Sequence, residues 1–454
     1  MTPRATAVRP AGELRGEVRA VRRRQILVLV LALTLGGLAL LVSLFSAGFF
    51  LYAAVVTAAV LGIAAFLPSA SLLGLEVRRS LGADSIELGQ TVESRLVLHN
   101  RKDYPAFWVF WRDEVEPGLD AEGPTCGFQT LSGEETVRAA CTLHSTRRGL
   151  FRVGPAVIEA SDPFGLARRF RVEPDVRFLT VLPRVVPMGE GMPLGHRPIH
   201  EVPRRRSLFE DPSRFLGVRE YQRGDSLRRI HWRATARTGQ LQVKVFEPAV
   251  LEGVLLAMEM GRNAWPRYPD EPGSDPGVEL AVTAAASIAE MVLAGGQSVG
   301  LISNGGDAAE RYPADWRGGS FRRYEDAVEE AGARRRMPAF RPLEVERGRG
   351  GWQRDRVLAA LARLTLAPGL TLPELLVSEA PRLPRSLVVL VITPDLGAAM
   401  GTALAGLKRS GFDVGVIWIQ TGQPGPVAVS LLQGIPVHSI WNEAELQDLG
   451  ARRL

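Results

Sequence analysis

The residues best suited to chemistry lie together in one stretch, REYQRGDSLRRIHWRATARTGQLQVKVFE, from Arg219 to Glu247. It combines Arg219, Arg228 and Arg237 with Tyr221, Asp225, His231 and Trp232, and sets glycines at Gly224 and Gly239. Four chemistries fit these residue types. As a structural clasp, guanidinium groups would fork to Asp225, Glu220 and Glu247 and stack on Tyr221 and Trp232. As a partner or anion site, the arginines would hold a phosphate or an acidic peptide. As a nucleic-acid site, they would follow a backbone while the aromatics stack bases. As a catalytic site, His231 would be the base and Asp225 or Glu220 its orienter. The clasp ranks first and the partner site second; Arg219, Asp225 and Arg237 are the expected paired set.

The spacing predicts how this stretch folds. FLGVREY reads as an extended lead-in and Arg223-Gly224-Asp225 as a turn. Asp225 is placed to cap a helix from Ser226 to Thr238, with Gly239 as its left-handed terminator. LQVKVFE then alternates as a strand.

Little else suggests catalysis. The chain has no Gly-rich phosphate loop ending in Lys-Ser/Thr and no Gly-x-Ser-x-Gly elbow. Its six histidines are scattered, and His196 and His200 lack the neighbours zinc needs. Neither an enzyme nor a cofactor is expected. A net charge of +6 over 454 residues suits an anionic surface without implying nucleic acid. Cys126 and Cys141 are too few for a disulfide scaffold and read as reduced thiols.

The elements that position the stretch begin at a membrane. No charged residue occurs between Arg24 and Glu76. Ile26–Phe45 and Phe49–Leu67 are apolar runs, each long enough to cross a bilayer as a helix, with Ser46-Ala47-Gly48 as the turn between them. Arginines before the first run, and Arg78 and Arg79 after the second, place both chain ends in the cytoplasm at the inner or plasma membrane.

Beyond the hairpin, short alternating strands over residues 76–185 predict a small antiparallel β-sandwich. Phe107, Trp108, Phe110 and Trp111 are expected in its core. Residues 186–249 form a linker plus the basic stretch. From residue 250 to 454, strands alternate with helices and predict a doubly wound α/β sheet, with Asn304 to about Trp352 irregular. The chain therefore divides as 1–24 (basic tail), 25–75 (transmembrane hairpin), 76–185, 186–249 and 250–454. In fold class it is α/β plus all-β.

Two segments resemble the bacterial domain of unknown function 58 family. One is GVREYQRGDSLRRIHWRATARTGQLQVKVFE; the other is STRRGLFRVGPAVIEASDPFGLARRF, Ser145–Phe170. The resemblance implies a membrane-anchored scaffold or adaptor with a von Willebrand A-like α/β domain. It would work beside a MoxR-type AAA+ ATPase, and sometimes a transglutaminase-like membrane protein, in assembly or maturation of other proteins. The lipid bilayer is the further expected partner, and the alternative is a nucleic-acid- or anion-binding membrane protein. Metal-binding von Willebrand A-like domains carry Asp-x-Ser-x-Ser after the first strand. Here Met258-Glu259-Met260-Gly261-Arg262 stands in its place, so Glu259 and Asp395 mark a degenerate site where no metal is expected. Asp395 is read as the cap of the following helix.

Overall fold

The computed structural model describes residues 30–42, 49–188, 210–221, 230–248, 253–265, 275–312, 318–332, 341–420 and 429–451. They form two compact units. The first runs to Val181 and takes in Ala309–Met337; the second comprises Leu182–Ala308 and Pro338–Leu454.

The first unit opens with two apolar helices, α1 (Val30–Val42) and α2 (Phe49–Leu72). Ala32, Leu33 and Gly36 of α1 and Val56, Ala59, Val60 and Ile63 of α2 border a common groove. The 24 residues of α2 are long and apolar enough to cross a membrane. Pro276–Ala294 passes the same test of length and composition but is largely buried, as a core helix is. The predicted turn at Ser46–Gly48 lies outside the described residues.

Ten strands follow: β1 (Leu75–Leu81), β2 (Ser85–Glu87), β3 (Thr91–Asn100), β4 (Ala106–Val115), β5 (Asp120–Glu122), β6 (Cys126–Leu131), β7 (Thr136–His144), β8 (Gly149–Ser161), β9 (Arg168–Glu173) and β10 (Arg177–Leu182). One sheet has the order β1-β3-β7-β5; the other is built around β8, with β4 and β6 on one side and β9, β10 and β2 completing it. The alternation of β3 buries Val92, Leu96 and Leu98. Leu96 and Leu98 share a core with Val109, Trp111 and Ile158 from the opposing sheet. Arg79 on β1 and Asp113 on β4 form a buried ion pair across this core, and Arg79 Nη1 also donates to Val153 O (3.0 Å).

Of the four aromatics expected inside, only Trp111 is fully buried; Phe107 is exposed and Trp108 and Phe110 are half-buried. The ladder shifts register between Ala106 and Val109, and Trp108 adopts φ +47° there. Such a bulge breaks the simple in-out period on which the expectation rested. Cys126 and Cys141 are both free thiols.

Residues 309–337 are not irregular throughout. Gly319–Phe321 adds a strand to the free edge of β9, with Ser320 opposite Arg171. Helix Tyr324–Gly332 then packs Ala327 and Ala331 against Val157, Phe170 and Val172. Arg112 donates to Tyr324 Oη (2.5 Å) and Arg152 to Ala331 O (2.8 Å).

The second unit contains a hairpin of β11 (Glu210–Glu220) and β12 (Gln242–Pro248), with the short helix α3 (Trp232–Thr238). Its main sheet has β13 (Gly253–Met258), β14 (Ser298–Ser303), β15 (Leu343–Gly348), β16 (Leu387–Thr393), β17 (Asp413–Ile419) and β18 (Val437–Ile440) in the order β15-β14-β13-β16-β17-β18. All pairings are parallel except that of β15 with β14. Central strands buried on both faces read as continuous apolar runs, as GVLLAM and LVVLVIT do.

The helices are α4 (Pro276–Ala294), α5 (Gly350–Arg363), α6 (Leu372–Glu379), α7 (Ala398–Arg409) and α8 (Glu443–Ala451). Leu256 and Leu390 join a core with Ile288 of α4 and Leu361 of α5; Leu255 and Val389 join another with Leu376 of α6 and Leu404 of α7. The sheet is thus doubly wound. Its core also takes in Val186, whose N–H donates to Ser287 Oγ (2.9 Å), so part of the predicted linker is built into this unit.

Candidate functional site

The basic stretch folds as a hairpin with a helical insertion. Val218 lies opposite Lys244 and Glu220 opposite Gln242. Ile230 bridges to Val243, and both are buried. This bridge pairs Ile230 with a strand, so Ile230 is not part of the helix. α3 begins at Trp232, not at Ser226, and its N-cap is His231 in place of Asp225. The His231 Nδ1 accepts from Ala234 N (3.0 Å), satisfying one orphan donor of the first turn. Gly239 closes the helix at φ +73°, as its sequence position predicts. Thr235 ties the helix to the hairpin by accepting from Gln242 N (3.0 Å).

Exposed residues dominate this element. Trp232 is 69 % exposed, and Val218, Arg219, Arg233, Arg237 and Leu241 are exposed as well. Tyr221 is half-buried, and its N–H donates to Leu241 O (2.9 Å). Arg219 donates to Glu220 O (3.1 Å). Arg237 stands in the last turn of α3, where a cation complements the helix dipole. Gly224, Asp225 and Arg228 lie outside the described residues.

A second place collects polar groups at the carboxyl ends of the parallel strands. The order of the main sheet reverses between β13 and β16, the switch point where ligands bind in such folds. Ser303 ends β14 there, and Glu259, Asn304 and Asp395 follow the strands. Glu259 is buried; its Oε1 accepts from Asn304 Nδ2 (2.6 Å) and from Gly261 N (2.8 Å). Asn304 Oδ1 accepts in turn from Met260 N (2.7 Å), and its Nδ2 also donates to Leu370 O (3.0 Å). Burial pushes the Glu259 carboxyl above its usual range; bonds from Asn304, Gly261 and Leu372 oppose this, and nearby Asp395 adds to it.

Asp395 is exposed and its Oδ1 accepts from Gly397 N (3.0 Å). Gly397, not Asp395, is the N-cap of α7. Among the described residues no group of three or more acidic, histidine or cysteine side chains could hold a metal ion. Asn304, at the start of the stretch expected to be irregular, is the residue that fastens Glu259.

A third polar feature lies at the end of α2. Lys102 is buried, and its Nζ donates to Ala70 O (2.8 Å) and Ser71 O (2.9 Å) at the end of α2. Burial, with Arg171 nearby, lowers its pKa to about 7. Arg171 donates to Leu72 O (2.8 Å) and Leu75 O (2.6 Å). Cations on a helix's final carbonyls are the expected signal, but only the fold brings residues so distant in sequence there.

Taken together, the observations define a mixed protein: an apolar helix, a β unit, and a doubly wound α/β unit with an exposed basic hairpin. Residues 217–326 match the family described as Protein of unknown function DUF58, which supports a DUF58 family protein. No curated protein matches the chain. Among solved structures, it is similar to the ASH / PapD-like domain of human CEP192, at 16 % identity over 24 % of this chain and 85 % of that one, with a TM-score of 0.17. It is also similar to the CARDB domain of PF1109 from Pyrococcus furiosus, at 16 % identity over 24 % and 94 %, with a TM-score of 0.18. A cohesin module from Clostridium perfringens matches at 12 % identity over 24 % and 96 %, with a TM-score of 0.17.

Proposed function

We propose that the protein is a membrane-anchored cytoplasmic scaffold whose basic hairpin docks a protein partner. In this reading α2 is one of two spans, both chain ends are cytoplasmic, and the α/β unit is von Willebrand A-like. The partner is a MoxR-type AAA+ ATPase, as the family resemblance implies, with a transglutaminase-like membrane protein as a further associate. The observation that carries the proposal is the exposure of Trp232 beside Arg233 and Arg237 on a helix whose backbone is fastened at both ends. A large rigid ring beside cations is the composition of an interface anchor. The enclosure of Glu259 supports the same reading, because it takes the fold's usual ligand position out of use.

The test is capture from detergent-solubilised membranes by the tagged full-length chain. We expect an AAA+ ATPase in the captured fraction, lost in a Trp232→Ala, Arg233→Glu, Arg237→Glu variant that melts like wild type. Capture unchanged by the triple variant would refute the hairpin as the docking site. Tight binding of single-stranded nucleic acid that weakens steeply with salt, without any ATPase, would favour the anion-binding alternative. For topology, a reporter active only outside the cytoplasm should be silent when fused after Leu454.

A further inference from the structure

We propose that the turn between β8 and β9, Asp162–Ala167, is a second membrane contact. Phe164 and Leu166 enter the headgroup layer of the bilayer that α2 crosses, and Arg168 and Arg169 meet its anionic lipids. The inference rests on reading α2 as a span.

Three observations carry it. The first is position. Arg171 on β9 donates to the carbonyls of Leu72 and Leu75, and Arg169 Nε donates to Ser69 Oγ (3.3 Å). Moving back along β9 from Arg171 to Arg169 therefore climbs α2 from its end toward its apolar body. The turn continues in that direction. Two or three more residues at ~3.3 Å each reach the level of α2 about four to seven residues before Ser69, at ~1.5 Å per helical residue. That level lies in the last two turns of the apolar run that ends at Leu67, just short of the polar step at Pro68 and Ser69.

The second observation is the surface the turn presents. Phe164 is 63 % exposed and Leu166 61 %. Isolated exposed apolar side chains are ordinary, but here two share one tip. Exposed Phe107 shares this edge, since its N–H donates to Ser71 Oγ near the end of α2 (3.2 Å). Aromatic and aliphatic groups flanked by arginines are the composition of an interfacial anchor.

The third is rigidity. Asp162 is buried; its Oδ2 accepts from Phe164 N (2.8 Å) and its Oδ1 from Ala167 N (2.6 Å). Burial alone would raise this carboxyl, but the N–H groups of Ala167, Phe164 and Leu166 outweigh it and hold it below the usual range. Gly165, at φ +69°, permits the tight reversal, and its N–H donates to Asp162 O (3.2 Å). The turn is thus held in shape by a carboxylate directed inward, so no acid at the tip repels headgroups and little order remains to be gained on insertion.

The experiment uses the full-length chain in phosphatidylcholine/phosphatidylglycerol vesicles. Cys126→Ser removes the exposed native thiol. Single cysteines at Phe164→Cys, Leu61→Cys and Leu88→Cys are then labelled with an environment-sensitive fluorophore. We expect the probe at 164 to be quenched most by a lipid spin label placed near the headgroups and shielded from aqueous iodide. The probe at 61 should be quenched by a deep label, and the probe at 88 should be open to iodide. A probe at 164 as open to iodide as that at 88, while 61 reports the bilayer interior, overturns the membrane contact and leaves the span intact. Iodide access at 61 overturns the span and the contact together. Replacing phosphatidylglycerol by phosphatidylcholine should reduce the shielding at 164; unchanged shielding refutes the part assigned to Arg168 and Arg169.

Discussion

The basic hairpin and the switch-point crevice handle polar residues in opposite ways. In the crevice, Glu259 is buried and saturated by Asn304 and backbone N–H groups. On the hairpin, arginines and Trp232 are exposed on a scaffold fixed by His231, Thr235 and Gly239. At the place where such folds usually hold a ligand, the carboxylate is engaged within the fold. The place that reads from sequence as a mutual clasp presents its side chains outward. The two places thus differ in burial: a carboxylate enclosed within the fold against an aromatic ring and cations open to solvent.

The largest expected effect tests the closed side of this contrast. Asn304→Leu strands the Glu259 carboxyl and the N–H of Met260. Removing one partner of a buried, charge-assisted network should cost ~3 kcal/mol or more, a drop in melting temperature of roughly 6–12 °C for a domain of this size. Glu259→Gln keeps the acceptor oxygen and removes the charge. Its raised carboxyl favours the protonated fold, so that contribution is present at low pH and lost as pH rises through the folded pKa. At pH 8 the glutamine variant should therefore melt no lower than wild type, and a large loss would show that the charged carboxylate itself stabilises the fold.

Lys102 sharpens the comparison with a buried cation. Its pKa of about 7 lies below the unfolded value of 10.5, so unfolding takes up a proton between these limits. Stability should rise with pH across that window, by at most ~1.4 kcal/mol per pH unit, and fall as pH drops toward 7. Denaturant titrations of the full-length protein at pH 7 and 9 should show a rise that Lys102→Met flattens. An unchanged slope would mean that this ammonium does not titrate in the window.

Smaller effects belong to the hairpin. His231→Ala removes a cap and should cost ~1 kcal/mol, with Asn at that position restoring most of it. An effect on partner capture far beyond this loss of stability would give the imidazole a role of its own. Arg233→Ala and Arg237→Ala should each change stability by ~0.5 kcal/mol or less, in melts compared at equal ionic strength. Losses of several kcal/mol would bring back the clasp and end the contrast.

Much of the α/β unit was legible because its signals are local. GVLLAM, SVGLIS and LVVLVIT are short apolar runs, and the helix from Pro276 stops at Gly295-Gly296, a plain terminator in the sequence. The β15 strand hid within an arginine-rich stretch, although Leu343 and Val345 are buried between exposed Glu344 and Glu346, a period-two pattern that could have been read. The hairpin strands and Gly239 were legible for the same reason. The start of α3 was not, because Ile230 is claimed by a bridge to Val243, and tertiary pairing there overrides helical spacing. The pairing of Glu259 with Asn304 joins residues 45 apart, and that of Lys102 with Ala70 joins residues 32 apart. No motif encodes such a distance; it follows only from which strands and helices meet.

The strand Gly319–Phe321 and its helix complete the first unit with chain made long after the rest of it. A ribosome adding ~5–20 residues per second needs roughly 6–26 s to pass from Val181 to Ala309. Through that interval the edge of β9 lacks its partner strand, and Val157, Phe170 and Val172 lack the cover of Ala327 and Ala331. An unpaired edge beside bare apolar surface invites pairing with another chain. Birth is thus the exposed moment in this protein's life, and a message that slows translation between those codons should raise aggregation without altering a single residue.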